Sequence, residues 1–133
     1  MSFPFIHETQ PITNSFRQSI NGCFISLPNG YTHYELGGEE NADTVVLVHG
    51  FSVPHFIWDP TFAVLIEAGY RVLRYDLYGR GYSDRPKTAY TLNLFARQLS
   101  DLLDALEISD PIYLCGLSMG GPISATFTAR HPE

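Results

Sequence analysis

The 133-residue sequence predicts an α/β fold with a mostly parallel sheet, an N-terminal β-hairpin and helices on both faces. Short, continuously apolar runs alternate with segments whose apolar residues recur at helical spacing, which is typical of strands joined by crossover helices. Before them, two β-rich runs flank an Asn-Gly pair, which is a hairpin signal. Glycine-containing motifs follow the apolar runs, at the strand ends where parallel sheets place their functional sites.

The first part of the chain predicts an arm followed by the hairpin. Residues 1–21 are polar and irregular, so we expect an arm packed on the protein surface. The hairpin covers residues 23–38. Its turn is predicted at Asn29-Gly30, because this pair best tolerates the positive φ angles of a type I′ turn.

Three strands and three helices are predicted to follow the hairpin. The strands are predicted at residues 44–50, 70–76 and 111–116. The first is continuously apolar, as expected of a strand covered on both faces, and the third is also expected to be buried. The helices are predicted at residues 59–69, 91–107 and 118–130. In the first helix, Asp59 is predicted as the N-cap, Pro60 fits the first helical position and Gly69 the C-terminal stop.

Composition excludes several classes of protein. The net charge of −6 and the lack of a Lys/Arg cluster argue against a nucleic-acid surface. The apolar runs are too short to cross a bilayer, and the first residues do not resemble a signal peptide. The two cysteines, Cys23 and Cys115, do not make a disulfide framework, so we expect reduced thiols in a cytoplasmic protein, each a small buried side chain.

A single serine lies on the corner between the third apolar run and the last helix. Gly116-Leu117-Ser118-Met119-Gly120 fits the pattern G-x-S-x-G of a nucleophile elbow. On such a corner, side chains at positions 116 and 120 would collide with neighbouring elements, and Gly121 is expected to let the helix approach closely. The helix also points its partly positive N-terminus at the serine, where an oxyanion would form.

Other interpretations of the motifs are weaker. A dinucleotide-binding loop at Gly79-Arg80-Gly81 would need glycine at position 84, where the chain has Asp84. The five histidines are scattered and the cysteines are far apart, so no metal site is predicted. A purely structural Gly/Ser turn at residues 116–120 is the less favoured alternative to the elbow.

Taken together, the segments VVLVHGF, YDLYGRGYSDRP and CGLSMGG resemble the N-terminal half of a serine-nucleophile α/β-hydrolase with an HGF-type oxyanion loop. The resemblance covers residues 20–133 and implies that Ser118 is the nucleophile. It also implies an oxyanion hole formed by the backbone N–H groups of Met119 and Phe51, and neither a cofactor nor a metal. Relatives that use an aspartate nucleophile, such as dehalogenases and epoxide hydrolases, would need Asp at position 118.

The resemblance assigns supporting roles to the residues around these donors. His49 is similar to the histidine that braces the oxyanion loop, and Gly50 is part of the same motif. The loop at residues 76–84 is structural in the family, and Trp58 is expected to pack beneath the oxyanion loop.

The general base and the acid that should complete the site are missing from the sequence. The family order is Ser, then Asp or Glu, then His, but only His131 and Glu133 follow Ser118, in the wrong order. Helix geometry places His131 about 20 Å from the serine, whereas a base must lie within about 3 Å. We therefore expect residues 1–133 to be the N-terminal part of a single α/β-hydrolase domain, with its later strands, cap and remaining triad residues elsewhere.

Two function hypotheses follow from the sequence. The favoured one is a serine hydrolase that acts on a small-molecule ester or related carbonyl compound through an acyl-enzyme on Ser118. Its expected partner is the C-terminal half of the same fold, and no nucleic acid or membrane is expected. The alternative is a non-catalytic binding protein of the same fold that has lost its triad.

Overall fold

A five-stranded mixed sheet organises residues 11–133, the part of the chain that this computed structural model describes. The first ten residues of the predicted arm lie outside the described range. The strands are β1 (Cys23–Leu27), β2 (Gly30–Gly37), β3 (Thr44–Val48), β4 (Arg71–Tyr75) and β5 (Ile112–Gly116). The helices are α1 (Asn14–Ser19), a 3-10 turn (His55–Trp58), α2 (Asp59–Glu67), α3 (Leu92–Ala105) and α4 (Gly120–Thr128).

The strand order confirms the predicted α/β fold with its N-terminal hairpin. The order is β1-β2-β4-β3-β5, and β3 pairs in parallel with both β4 and β5. The hairpin strand β2 joins β4 in antiparallel orientation, so the sheet is parallel at its centre and antiparallel toward the β1 edge. As a result, the carboxyl ends of β3, β4 and β5 lie along one edge of the sheet, with Val48 opposite Tyr75 and Gly116.

Helices cover both faces of the sheet, as predicted. Val46 and Val48 of β3 point into the larger core, which α3 and α4 close with residues such as Leu99 and Ile123. The alternate residues of β3 point to the opposite face. There they form a smaller cluster with α2 and with Trp58, which precedes it.

The strand β5 departs from the prediction that it is buried. Tyr113 is 61% exposed and Cys115 is also exposed, whereas their partners on β3, Val45 and Leu47, are buried. Two features explain the difference. In residues 11–133, β5 is an edge strand, and α2 packs on β3 and β4 rather than on this face of β5.

The hairpin turn is one residue earlier than predicted. Leu27 pairs with Gly30, so the two turn residues are Pro28 and Asn29 rather than Asn29 and Gly30. Proline fixes φ near −65°, which excludes the type I′ turn. The positive φ falls instead on Gly30, at 138°.

Other local predictions also need correction. The arm is not irregular throughout, because residues 14–19 form α1, whose Thr13 cap accepts a hydrogen bond from the Phe16 N–H. Neither cysteine is buried, since Cys23 lies on the outer strand β1 and Cys115 on the uncovered face of β5. Asp59 is the first residue of α2 and not its N-cap, because its carboxylate pairs with Arg74 on β4.

Among the described residues, no helix combines the length and the apolar character that crossing a membrane requires.

Close backbone packing joins α4 to the sheet. A Cβ atom on Gly116 would lie 2.2 Å from the Gly120 carbonyl oxygen, and one on Gly120 would lie 2.2 Å from the Val48 carbonyl oxygen. Both positions therefore require glycine, as predicted. The prediction for Gly121 is wrong, because a Cβ atom there would meet nothing within 4 Å.

These distances predict opposite effects for two adjacent substitutions. Gly120→Ala should lower the free energy of unfolding by about 1–3 kcal/mol or more, because the new methyl group overpacks against a backbone carbonyl. Gly121→Ala should leave it unchanged or raise it by up to about 1 kcal/mol through helix propensity. Urea unfolding of the complete protein measures both, and equal midpoints for the two variants would contradict the packing described here.

Candidate active site

Ser118 occupies a strained corner between β5 and α4. Its φ angle is +53°, a left-handed conformation that is costly for a residue with a side chain. The serine is exposed, and the first residue of α4 follows two positions later. The geometry is that of a sharp strand-to-helix turn, which places the hydroxyl above the carboxyl edge of the sheet and near the N-terminus of a helix.

The loop after β3 lies directly against this corner. A Cβ atom built on Gly50 would lie 3.1 Å from the Ser118 Cβ and 3.7 Å from its Oγ. The next residue, Phe51, is 67% exposed. The structure therefore brings the predicted oxyanion loop and the predicted nucleophile together, although they are far apart in the sequence.

His49 is fully buried and fixes the shape of this loop. Its Nε2 accepts a hydrogen bond from the Leu77 N–H at 2.9 Å, so its Nδ1 carries the proton and donates to the Gly50 carbonyl at 2.7 Å. Burial lowers the pKa of His49, which favours this neutral form. Because C=O and N–H point in opposite directions across a trans peptide, the bond to Gly50 also sets the direction of the Phe51 N–H.

The two predicted oxyanion donors have no hydrogen-bond acceptor in the described part of the chain. Within residues 11–133, neither the Phe51 N–H nor the Met119 N–H donates a hydrogen bond to another group of the protein. The Met119 N–H lies at the start of α4, where backbone donors have no partner inside the helix. Unpaired N–H groups beside an exposed serine can stabilise negative charge that develops there.

A buried carboxylate ties the surrounding loops together. Asp76, at the end of β4, accepts hydrogen bonds at 2.9–3.0 Å from the His33 ring, from the His55 ring and backbone, and from the Tyr82 N–H. Although burial alone raises the pKa of Asp76, the hydrogen bonds from the two histidines outweigh it and hold the pKa far below its usual range. The carboxylate thus anchors the loop after β3 and the loop after β4 to the hairpin.

His33 and His55 support the loops around the site, although no sequence pattern marked them. The His33 ring lies between the Asp76 carboxylate and the Asn21 carbonyl, so both ring nitrogens face acceptors. Burial lowers the pKa of His33, but these two partners raise it above its ordinary value. His33, His55 and Asp76 each offer one potential metal-ligand atom, and these three atoms lie within 4.8 Å of one another. This is the one group in residues 11–133 that could hold a metal ion. The carboxylate, however, is already saturated by N–H donors, which favours a hydrogen-bond network.

None of the described histidines is placed to serve Ser118 as a base. Besides their bonds to Asp76, His33 bonds the Asn21 carbonyl through Nε2, and His55 Nε2 faces the Glu35 carboxylate at 3.9 Å. His49 is engaged at both ring nitrogens. His131 follows the far end of α4, where it stacks on Phe127 at 4.6 Å between ring centres. The location of the base stays a prediction from the sequence.

Comparison with known proteins identifies the family. A profile described as "alpha/beta hydrolase fold" matches residues 43–133. Among curated relatives, 3-oxoadipate enol-lactonase 1 from Acinetobacter baylyi is 38% identical over 77% of this chain and 38% of its own length. A non-heme chloroperoxidase from Streptomyces lividans is 31% identical over 73% of this chain and 35% of its own length. The crystal structure of the enol-lactonase from Burkholderia xenovorans LB400 superposes with a TM-score of 0.78 at 35% identity, covering 83% of this chain and 42% of that one.

The chain thus spans less than half the length of the relatives that it matches. The match nevertheless covers the central strands, the loop after β3 and the serine corner, and the profile extends over more than half of the chain. The chain belongs to the α/β hydrolase fold family.

Proposed function

We propose that this chain supplies the nucleophile and the oxyanion hole of a serine hydrolase for an ester or a related carbonyl compound. The observation that carries the proposal is the strained, exposed Ser118, held against Gly50 of the loop after β3. A left-handed serine is costly to maintain, and such strain is concentrated at functional sites.

The reaction is a double displacement at the substrate carbonyl. The Ser118 oxygen attacks the carbonyl carbon and loses its proton to a histidine base, so that a C–O bond forms and the carbonyl oxygen becomes an oxyanion. When the carbonyl re-forms, the bond to the leaving alcohol breaks, and the alcohol takes the proton. Water then attacks the acyl-enzyme by the same route, which releases the acid and restores the serine.

The backbone N–H groups of Phe51 and Met119 hold the oxyanion. Each is unpaired within the described residues, and His49 directs the first of them through the Gly50 carbonyl. The N-terminus of α4 adds its partial positive charge. A single donor of this kind contributes about 10²- to 10³-fold to kcat in comparable sites.

The names of relatives support carbonyl chemistry without fixing the substrate. They include enol-lactonases and an esterase from Exiguobacterium antarcticum, and also non-heme chloroperoxidases. Lactones and esters are both attacked at an acyl carbon by a serine, so they are the substrate class that we propose for this chain.

Labelling of the complete enzyme tests the role of Ser118. A fluorophosphonate probe should modify Ser118, and Ser118→Ala should abolish both the labelling and the turnover of 4-nitrophenyl esters, with a loss of at least about 10⁴-fold in kcat. Ser109→Ala is the matched control, because Ser109 is an exposed serine in the segment that precedes β5.

Labelling that persists in Ser118→Ala would remove this serine from the mechanism. A complete protein that binds esters but is neither labelled nor active would instead favour the non-catalytic binding protein.

We also propose that further polypeptide covers β5 and supplies the histidine base and the carboxylate. Tyr113 and Cys115 of β5 and the following Leu117 are exposed at this edge, although Val45 and Leu47, the partners of the first two on β3, are buried. An exposed edge strand with apolar side chains tends to pair with other chains. The greater length of the relatives supports the same proposal.

The reactivity of the two exposed cysteines tests whether further polypeptide covers β5. A maleimide should modify both Cys23 and Cys115 in residues 1–133 alone. In the complete protein it should modify only Cys23, which lies on the opposite edge of the sheet. Mass spectrometry of the labelled peptides reads out both sites, and rapid modification of Cys115 in the complete protein would contradict the proposal.

A further inference from the structure

One charged side chain beside the oxyanion loop is not used by the proposed reaction. Arg80, in the loop after β4, reaches across to the loop after β3. Its Nε–H donates to the Phe51 carbonyl at 3.1 Å, and its Nη1 donates to the Tyr78 carbonyl at 3.1 Å. These bonds fix the guanidinium at the border between the two loops.

Three aromatic rings lie close to the same guanidinium group. Its central carbon lies 4.9 Å from the ring centre of Phe51, 5.4 Å from that of Phe95 and 5.9 Å from that of Tyr90. Cations are attracted to the faces of aromatic rings at such distances. The orientation of the Arg80 side chain is thus set before any ligand binds.

The charge of Arg80 has no counter-ion in the described part of the chain. Two other arginines do have carboxylate partners: the partly buried Arg17 pairs with Asp84, and the buried Arg74 pairs with Glu35 and Asp59. Within residues 11–133, no carboxylate lies within ion-pair distance of Arg80, and its Nη2 makes no hydrogen bond. Partial burial lowers the pKa of Arg80, which shows that the charge is partly desolvated.

An open groove of about 800 Å³ gives a ligand access to this cation. Its walls include Phe51, Ser52, Arg80, Arg85 and Tyr90, and no Asp or Glu lines it. This is a local cationic surface on a chain whose net charge is −6. The groove thus favours a negatively charged group.

We propose that Arg80 is a carboxylate-binding subsite, and that the preferred substrates are esters or lactones that carry a free carboxylate. A guanidinium has five N–H donors, of which the two backbone carbonyls take two, so that a planar pair remains for a carboxylate. Phe51 connects the two sites, because its ring stacks on Arg80 and its N–H is the proposed oxyanion donor. The inference rests on the proposed function and adds a substrate class to it.

A pair of esters tests the subsite in the complete enzyme. The ratio of kcat/KM for 4-nitrophenyl hydrogen glutarate to that for the neutral 4-nitrophenyl butyrate isolates the effect of the carboxylate. Arg80→Gln should lower this ratio about 10- to 100-fold, since hydrogen bonds to charged groups are the strong ones. Arg80→Lys should restore part of it, because the charge remains but the planar fork is lost. The control Arg97→Gln, at an exposed position on α3, should leave the ratio unchanged.

The ratio of kcat/KM values distinguishes two roles for Arg80, which are binding the substrate carboxylate and supporting the Phe51 loop. If Arg80 only positions the Phe51 loop, Arg80→Gln will slow both esters equally, and an unchanged ratio would overturn the subsite. Free glutarate should inhibit butyrate turnover in wild type and lose that effect in Arg80→Gln. Inorganic phosphate that competes better than glutarate would overturn the assignment to a carboxylate.

Failure of the hydrolase proposal is distinguishable from failure of the subsite. Calorimetric titration of glutarate into Ser118→Ala measures binding without turnover. If Ser118→Ala binds glutarate and the addition of Arg80→Gln abolishes that binding, the subsite is supported even if no ester is hydrolysed. No binding to Ser118→Ala, together with an ester ratio near one in wild type, would overturn the subsite while leaving the hydrolase intact.

Discussion

The site depends on how closely the backbone of α4 approaches the ends of β3 and β5. Gly120 lies so near the Val48 carbonyl, and Gly116 so near Gly120, that neither position has room for a methyl group. This approach forces the chain to reverse from strand to helix within a few residues, and Ser118 adopts a left-handed conformation at the corner. The packing of α4 on the larger core, through residues such as Ile123, offsets the energetic cost of the left-handed conformation at Ser118.

Two buried hydrogen-bond networks then place the loops around the corner. His49 links the loop after β4 to the Gly50 carbonyl, and Asp76 links both loops to the hairpin through His33 and His55. The depressed pKa of Asp76 means that its contribution to stability is present above the ordinary value of 3.8 and is lost as the pH falls through the depressed value. The raised pKa of His33 means that its contribution is complete below 6.5 and is lost as the pH rises through the raised value. The network of Asp76 with His33 and His55 therefore contributes most to stability in mildly acidic solution.

Local patterns predicted most of the fold and of the candidate site. The strands, helices and serine corner follow from hydrophobic period and glycine spacing, which are properties of short segments. The exposure of Tyr113 was not predictable in this way, because it depends on which strand lies at the sheet edge and on which strands α2 packs against. The bonds of Asp76 to His33 and His55 join residues 43 and 21 positions apart, and no local pattern signals such pairings. The position of Arg80 over Phe51 depends in the same way on how two loops meet.

The proposed reaction requires one oxyanion hole beside Ser118, formed by backbone donors from the loop after β3 and from the start of α4. A crystal structure of the complete enzyme, with an alkylboronic acid bound as a mimic of the tetrahedral intermediate, tests it most directly. We expect a covalent bond from the Ser118 oxygen to boron, with one boronate oxygen about 2.7–3.1 Å from the nitrogen atoms of both Phe51 and Met119. A boronate attached to another residue, or one whose oxygens all lie away from these two N–H groups, would contradict the proposed oxyanion hole.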